Sequence, residues 1–237
     1  MNNIDNQYGF TSKEQLFPGV WVYRNAIKKD ISVIEQLNKI GESAEAEGDT
    51  RYKWTFGFVG YSEKIPDYRN CEDIKVGEIK NPNTQTEKLV SSLWQDLKKS
   101  QDPAVEDYCR MYNVKMNYWE VMNCIRYGEG QHFQEHADHG FSYSATVSLV
   151  AYVNDDYEGG ELYFPKLNLN IKATAGDLYI FPSTYLFSHR AMPVKSGMKF
   201  SLVTMLDYND HAHRQEFVEM RSKWVQEDSA TGRNSNA

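Results

Sequence analysis

The chain has 237 residues, 41% of them apolar and 25% charged, a composition that excludes wholesale disorder and collagen-like structure and fits one large domain or two small ones. Lys and Arg number 26 against 33 Asp and Glu, a net charge of -7, so no overall field draws the molecule to nucleic acid or to an anionic membrane, and neither partner is expected. Cys71, Cys109 and Cys124 form no C-x-x-C pair, which argues against a disulfide framework and a thiolate zinc site. The opening MNNIDNQYGF lacks a basic stretch followed by an apolar run, and no apolar run approaches the roughly 18–20 residues that cross a bilayer. A soluble, cytoplasmic enzyme or binder is the expectation.

In chain order, Val20 to Tyr23 predicts a short strand. Asp30 is then placed to cap a helix whose apolar residues Ile31, Ile34, Leu37 and Ile40 recur at helical spacing, ending near Gly48. From Gly48 to about Thr84, Trp54, Phe56, Phe58, Tyr61 and Tyr68 stand among Gly, Pro and charged residues with no lasting period, so an ordered irregular segment is expected. Leu89, Leu93 and Leu97 predict a second helix over Thr86 to Lys99, and Asp102-Pro103, a cap followed by a first-turn proline, starts a shorter third. After Val114 the pattern changes to short β-branched and aromatic runs: Tyr118 to Tyr127, Thr146 to Val153, Glu161 to Phe164, Leu167 to Ile171, Asp177 to Phe181 and Lys199 to Leu206. Helices followed by strands predict a helical layer on a β barrel or sandwich. The boundaries are an N-terminal support over 1–114, a core over 115–210 and a C-terminal extension over 211–237 with a mobile tail, integrated into one domain.

All six histidines, His132, His136, His139, His189, His211 and His213, fall between residues 132 and 213. In His136-Ala137-Asp138 the outer two residues of an extended segment point to one side and can take adjacent vertices of one metal. Alone the pair is weak evidence. His189, 53 residues after His136 and beyond several strands, can supply a third ligand from a facing position in a jelly roll. Two imidazoles and one carboxylate on one face make an iron centre whose other face is open to co-substrate and dioxygen. Lys199 follows the turn-like Pro193 to Gly197 and opens the apolar run Phe200 to Met205. Carried into a barrel, its ammonium needs an anion, which a dicarboxylate would provide; the alternative is an exposed lysine at a strand end. Tyr127 can add a phenolic hydrogen bond to the same carboxylate, or be a core tyrosine.

RYGEGQHFQEHAD, TVSLVAYVNDDYEGGELYFP and GDLYIFPSTYLFSHRAMPVKSGMKF resemble the successive core motifs of the prolyl 4-hydroxylase-like group of iron(II)- and 2-oxoglutarate-dependent dioxygenases. The resemblance covers residues 118–207 and extends more weakly to residues 20–45. It implies a mainly β fold with a helical N-terminal layer, its core a double-stranded β-helix (jelly roll, cupin-like). By motif, His136, Asp138 and His189 match the iron ligands, Lys199 the residue that holds the distal carboxylate of 2-oxoglutarate, and Tyr127 its assistant. The implied cofactors are Fe(II), 2-oxoglutarate and O2, with ascorbate as reductant. The implied reaction is hydroxylation of a C–H bond, first of a peptidyl prolyl residue, with succinate and carbon dioxide as co-products. The alternatives are a free amino acid, another small metabolite, a non-proline protein side chain, or a non-catalytic β-barrel module that binds metal or ligand.

The chain departs from that group where the substrate enters. Tyr143 stands in place of an arginine, Phe200 in place of a tryptophan, Met205 near a second missing tryptophan, and only seven residues separate Asp138 from Thr146. Tyr143, Phe200, Met205, His139 beside the ligand Asp138, and Trp54 in the aromatic segment Arg51 to Tyr68 are therefore expected to line or cover the entrance.

Overall fold

A computed structural model describes residues 9–59, 63–140, 144–210, 213–214, 219–220 and 223. The N-terminal part runs β1 (Ser12–Phe17), β2 (Val20–Arg24), α1 (Val33–Glu47), β3 (Thr55–Phe56), β4 (Arg69–Asn70), β5 (Glu72–Val76) and α2 (Gln85–Tyr112). The strand-rich part follows with β6 (Tyr118–Trp119), β7 (Met122–Tyr127), β8 (His132–His136), β9 (Val147–Tyr152), β10 (Glu158–Gly159), β11 (Leu162–Phe164) and β12 (Leu169–Ile171). It ends with β13 (Leu178–Pro182), β14 (His189–Ala191), β15 (Val194–Ser196) and β16 (Lys199–Asp207). A nine-stranded sheet has the order β1-β2-β13-β9-β16-β7-β5-β3, with β6 also on β16; a second sheet has the order β12-β11-β14-β8-β4, and β10 pairs with β15. The two larger sheets face each other as a double-stranded β-helix, and the helices cover the outer face of the larger one.

The alternation of side chains builds both layers at once. Along β9, Val147, Leu149 and Ala151 enter the core shared with the helices, while Val150 and Tyr152 join Leu162, Phe164, Tyr179 and Phe181 between the sheets. Because both faces of β9 are covered, every residue of it is buried and it reads as one continuous run rather than an alternating one. Burial of this kind contributes roughly 25 cal/mol per Å² of apolar surface. From the helical side, Val33, Leu37, Ile40 and Ala44 of α1 form one buried stripe, spaced four, three and four apart as a helix requires.

Several elements differ from the sequence expectation. Asp30 does not cap α1: residues 29–31 form a short 3-10 turn, Ser32 takes the left-handed cap position, and α1 starts at Val33. The two expected helices after residue 85 are one 28-residue helix, α2, opened by a capping box in which Thr84 Oγ1 accepts from Glu87 N at 3.1 Å. Pro103 lies inside it, at a local cost of about 3 kcal/mol. Buried residues on both sides of the proline, Leu93 and Leu97 before it and Ala104, Val105 and Tyr108 after it, dock the helix on one core and offset that cost. Within the segment expected to be irregular, β5 joins the large sheet beside β7. The polar run HFQEH, which has no strand-like alternation, forms β8 between β14 and β4. No helix among the described residues is long and apolar enough to cross a membrane.

Gly159 shows how little room the turn feeding this core has. It sits at φ +74, and a Cβ there would lie 2.5 Å from the carbonyl oxygen of Pro193. Gly159→Ala is expected to lower the free energy of unfolding by about 1–3 kcal/mol, read as a reduced denaturant midpoint with unchanged slope; an unchanged midpoint would mean that the turn relaxes freely.

Candidate active site

Between the two sheets lies a cavity of about 380 Å³. Register decides what enters it. On β16 the alternate residues Lys199, Ser201, Val203 and Met205 face the cavity, whereas Leu202 and Leu206 go to the helix-side core. Lys199 is opposite Tyr127 on β7, and Ser201 lies between Ile125 of β7 and Tyr152 of β9.

His136 ends β8 and His189 begins β14, and the two are register partners. The next pair is Phe133 with Ala191, so β8 advances three residues where β14 advances two. The extra residue is a β-bulge, which re-aims the side chains of its strand. As a result the rings of Phe133 and His136 stack at 3.7 Å, and both line the cavity. Asp138 follows two residues on. His136 Nε2 is 3.6 Å from one Asp138 oxygen and His189 Nε2 is 3.9 Å from the other, and one ligand atom from each residue lies within 4.8 Å of the others.

Each ligating group is already oriented. His136 Nδ1 is 2.8 Å from the Gln134 carbonyl and His189 Nδ1 is 3.1 Å from that of Phe187, so each Nδ1 is committed as a donor and each Nε2 is left to face the cavity. Ser148 Oγ donates to Asp138 Oδ2 at 2.5 Å and is 2.8 Å from Ser183 Oγ. Burial first, and the neighbouring His189 second, push His136 down to about 4, against the opposing pull of Asp138. It is therefore a neutral imidazole, the form that binds metal. Two imidazoles and a carboxylate, with their other hydrogen bonds satisfied, fit an iron(II) ion that keeps positions open.

Lys199 is 2% exposed. Its Nζ donates to Gly160 O at 2.8 Å and sits 4.7 Å from the centre of the Tyr127 ring and 5.2 Å from that of Tyr152. Burial pushes it down to about 7, with Glu161 opposing. Among the described residues no carboxylate is in ion-pair contact with it, so the cation is complete only when an anion enters. The Tyr127 hydroxyl, raised above its ordinary range by burial and by Cys71, stands at the same end.

The other expected residues divide. Met205 lines the cavity, as do Phe58, Val59 and Tyr68 from the aromatic segment. Phe200 and Trp54 do not. With Lys199 directed inward, its neighbour Phe200 must point to the opposite face, where it meets Trp54 edge-on at 6.2 Å. Trp54 is held there by Arg126, 4.4 Å above its ring. His139 is not in the cavity wall: its Nδ1 is 2.7 Å from Ala145 O and 3.2 Å from Ala145 N, which closes the base of the loop after Asp138. Tyr143, with Tyr61 and His211, lies outside the described residues. His132 bonds the carbonyls of Gly130 and Asp67, and His213 stacks on Tyr118 and meets Asp207 at 3.1 Å. Both are structural.

Sequence reasoning missed Ser148, Tyr152, Arg69 and Glu120. Ser148 and Tyr152 share the cavity-side alternation of TVSLVAY, a signal that was available. Arg69 had none: it reaches the cavity wall through three contacts, to Cys71 Sγ at 3.3 Å, Phe58 O at 2.6 Å and Asp73 at 2.8 Å. Glu120, also in the wall, has a buried Oε2 without a hydrogen-bond partner and is pushed up to about 7 by burial against the pull of Lys75.

Residues 122–206 match the sequence profile of the 2OG-Fe(II) oxygenase superfamily. A protein of Acanthamoeba polyphaga mimivirus assigned as a prolyl 4-hydroxylase is 30% identical over 118 residues, 41% of this chain and 49% of that one. The chain thus spans about half the length of that relative. Among solved structures, a Trichoplax adhaerens prolyl hydroxylase in complex with a hypoxia inducible factor oxygen degradation domain peptide fragment superposes with a TM-score of 0.63 at 16% identity, covering 80% of this chain and 84% of that one. The viral collagen prolyl hydroxylase of Paramecium Bursaria Chlorella virus-1 superposes with a TM-score of 0.53 at 19% identity, covering 85% and 97%. These two likenesses show the fold alone.

The buried Lys199 predicts a pH-dependent stability. Its ordinary value is 10.5 and its buried value about 7, so between those values the unfolded chain holds a proton that the folded one has released. The penalty on the folded state is full below pH 7 and fades as pH rises toward 10.5. Lys199→Met is therefore expected to stabilise the ligand-free protein at about pH 6 by on the order of 5 kcal/mol, with the gain shrinking towards about pH 10. Denaturant unfolding across that range checks it; a gain independent of pH would assign the effect to packing.

Proposed function

We propose that this chain is an iron(II)- and 2-oxoglutarate-dependent dioxygenase that hydroxylates a substrate C–H bond, with a peptidyl prolyl residue as its first substrate and succinate and carbon dioxide as co-products. The observation that carries the proposal is one cavity with the His136, Asp138 and His189 cluster in its wall and an uncompensated buried cation, Lys199, in the same wall. When bound, iron(II) would supply the redox chemistry that couples decarboxylation of 2-oxoglutarate to oxygen insertion, with ascorbate as external reductant.

The protein's own contribution is positional. The two Nε2 atoms and the Asp138 carboxylate would hold the metal, and Ser148, donating to Asp138 Oδ2, keeps that carboxylate turned. Lys199 would meet the distal carboxylate of 2-oxoglutarate, with the phenols of Tyr127 and Tyr152 on either side, so that the co-substrate is oriented before the reaction begins. The rest of the wall, Arg69, Asp73, Lys75, Glu120 and Met205, faces the space left for the substrate. Relatives and structural neighbours described as prolyl hydroxylases support the peptidyl reading. A free amino acid is the second reading: Lys75 and Glu120, both in the wall, carry the charges that complement a carboxylate and an ammonium. A non-catalytic binding module would hold ligand without turnover.

The test is succinate formation from 2-oxoglutarate with Fe(II), using proline-containing peptides and free amino acids in parallel. His136→Ala, Asp138→Ala and His189→Ala are each expected to abolish iron binding with the circular dichroism of a folded protein retained. Lys199→Ala should raise the 2-oxoglutarate requirement about ten- to hundredfold, since a buried charge-assisted contact is worth roughly 1.5–3 kcal/mol, while iron binding stays unchanged. Full iron occupancy in all three ligand variants would overturn the metal assignment, and an unchanged co-substrate requirement would overturn the role of Lys199.

A further inference from the structure

Beside the strands that carry the two histidines, three side chains from three segments meet. Lys166, in the 3-10 turn after β11, donates from Nζ to Glu135 Oε1 at 2.6 Å and to Ser188 Oγ at 2.5 Å. Ser188 Oγ in turn donates to the same Glu135 oxygen at 2.5 Å. Glu135 and Ser188 occupy equivalent places. Glu135 lies between His136 and Gln134, whose carbonyl holds the His136 ring, and Ser188 lies between His189 and Phe187, whose carbonyl holds the His189 ring. Tyr68 adds a hydrogen bond to the Glu135 carbonyl at 3.0 Å.

The location matters because the backbone ladder is interrupted here. Between the pairs His189 with His136 and Ala191 with Phe133 the register shifts, and a bulge leaves a residue outside the ladder. Main-chain pairing alone therefore leaves slack in the separation of the two strands next to the histidines. The side chains of Glu135, Ser188 and Lys166 span that point.

We propose that Glu135, Ser188 and Lys166 form a clasp that sets the separation and ring orientation of His136 and His189, making Lys166 a positioning residue for a metal it does not touch. The proposal rests on the reading of His136, Asp138 and His189 as a metal site. Lys166 and Glu135 have side chains 46% and 41% exposed, and ion pairs of that exposure add little to global stability. Loss of the clasp is thus expected in metal affinity rather than in melting. Partners that orient metal ligands from outside the coordination sphere typically change affinity 10–100-fold when removed.

The experiment uses Co(II) as a spectroscopic probe added to metal-free protein, with affinity from calorimetry, ligand geometry from the visible absorption bands, and fold from the melting of the metal-free form. Lys166→Met is expected to weaken Co(II) binding about tenfold and to shift the bands, with melting within about 2 °C of the parent. Lys166→Arg should restore most of the affinity. Ser188→Ala, which removes two of the three contacts with little change in shape, should repeat the loss and guards against a folding defect in the first variant. Parental affinity and spectrum in folded Lys166→Met and Ser188→Ala would overturn the clasp while leaving the metal site standing. Lowered melting with unchanged Co(II) affinity would make the cluster purely structural and overturn it too. If the parent binds no Co(II), the metal reading fails and the proposal falls with it.

Discussion

The antiparallel pairing of β8 with β14 is the constraint on which the site depends. It places His136 opposite His189 although the two are 53 positions apart in the chain, and the bulge in β8 turns His136 and Phe133 to the same side. The pairing of β16 with β7 repeats the device at the other end of the cavity by setting Lys199 opposite Tyr127. Neither pair is local; the first belongs to the small sheet and the second to the large one, so the two share a cavity only when the sheets close against each other. The two apolar layers on the faces of β9, β13 and β16 supply that closure.

Within the closed barrel, charge is left unfinished in three places. Lys199 is a buried cation with a single carbonyl partner, His136 is held neutral by burial, and Glu120 is pushed up to about 7 with one oxygen unpartnered. In a low dielectric such groups destabilise the empty protein, and each would recover that loss when its ligand arrives. The cavity is in this respect a set of paired deficits: a lone-pair cluster that suits a metal, a cation that suits a carboxylate, and a carboxyl that suits a donor.

The groups that back the ligating residues are, by contrast, hydrogen-bonded. Ser148 and Ser183 back Asp138, Gln134 and Phe187 carbonyls back the imidazoles, and Arg69 is spent on Cys71, Phe58 and Asp73. Rigid support around unsatisfied ligating atoms is what a preorganised site requires, because reorganisation on binding would consume the affinity gained.

His136, Asp138, His189 and Lys199 stood out in the sequence because their spacing and order carry a family pattern. The spacing of Val33, Leu37 and Ile40 likewise announced α1, and short β-branched runs announced the main strands, since helical and extended periods are local properties. The sequence did not announce that Phe200 and Trp54 turn away from the cavity, that Tyr152 and Arg69 enter it, that HFQEH is a strand, or that α2 runs on through Pro103. Which face of a strand looks inward depends on its partner's register and on a bulge, and whether a helix survives a proline depends on what packs on both sides of it. Those are sums over contacts distant in sequence, so residue identities determined which ligating chemistry the chain carries, and only the tertiary pairing decided which of its side chains meet.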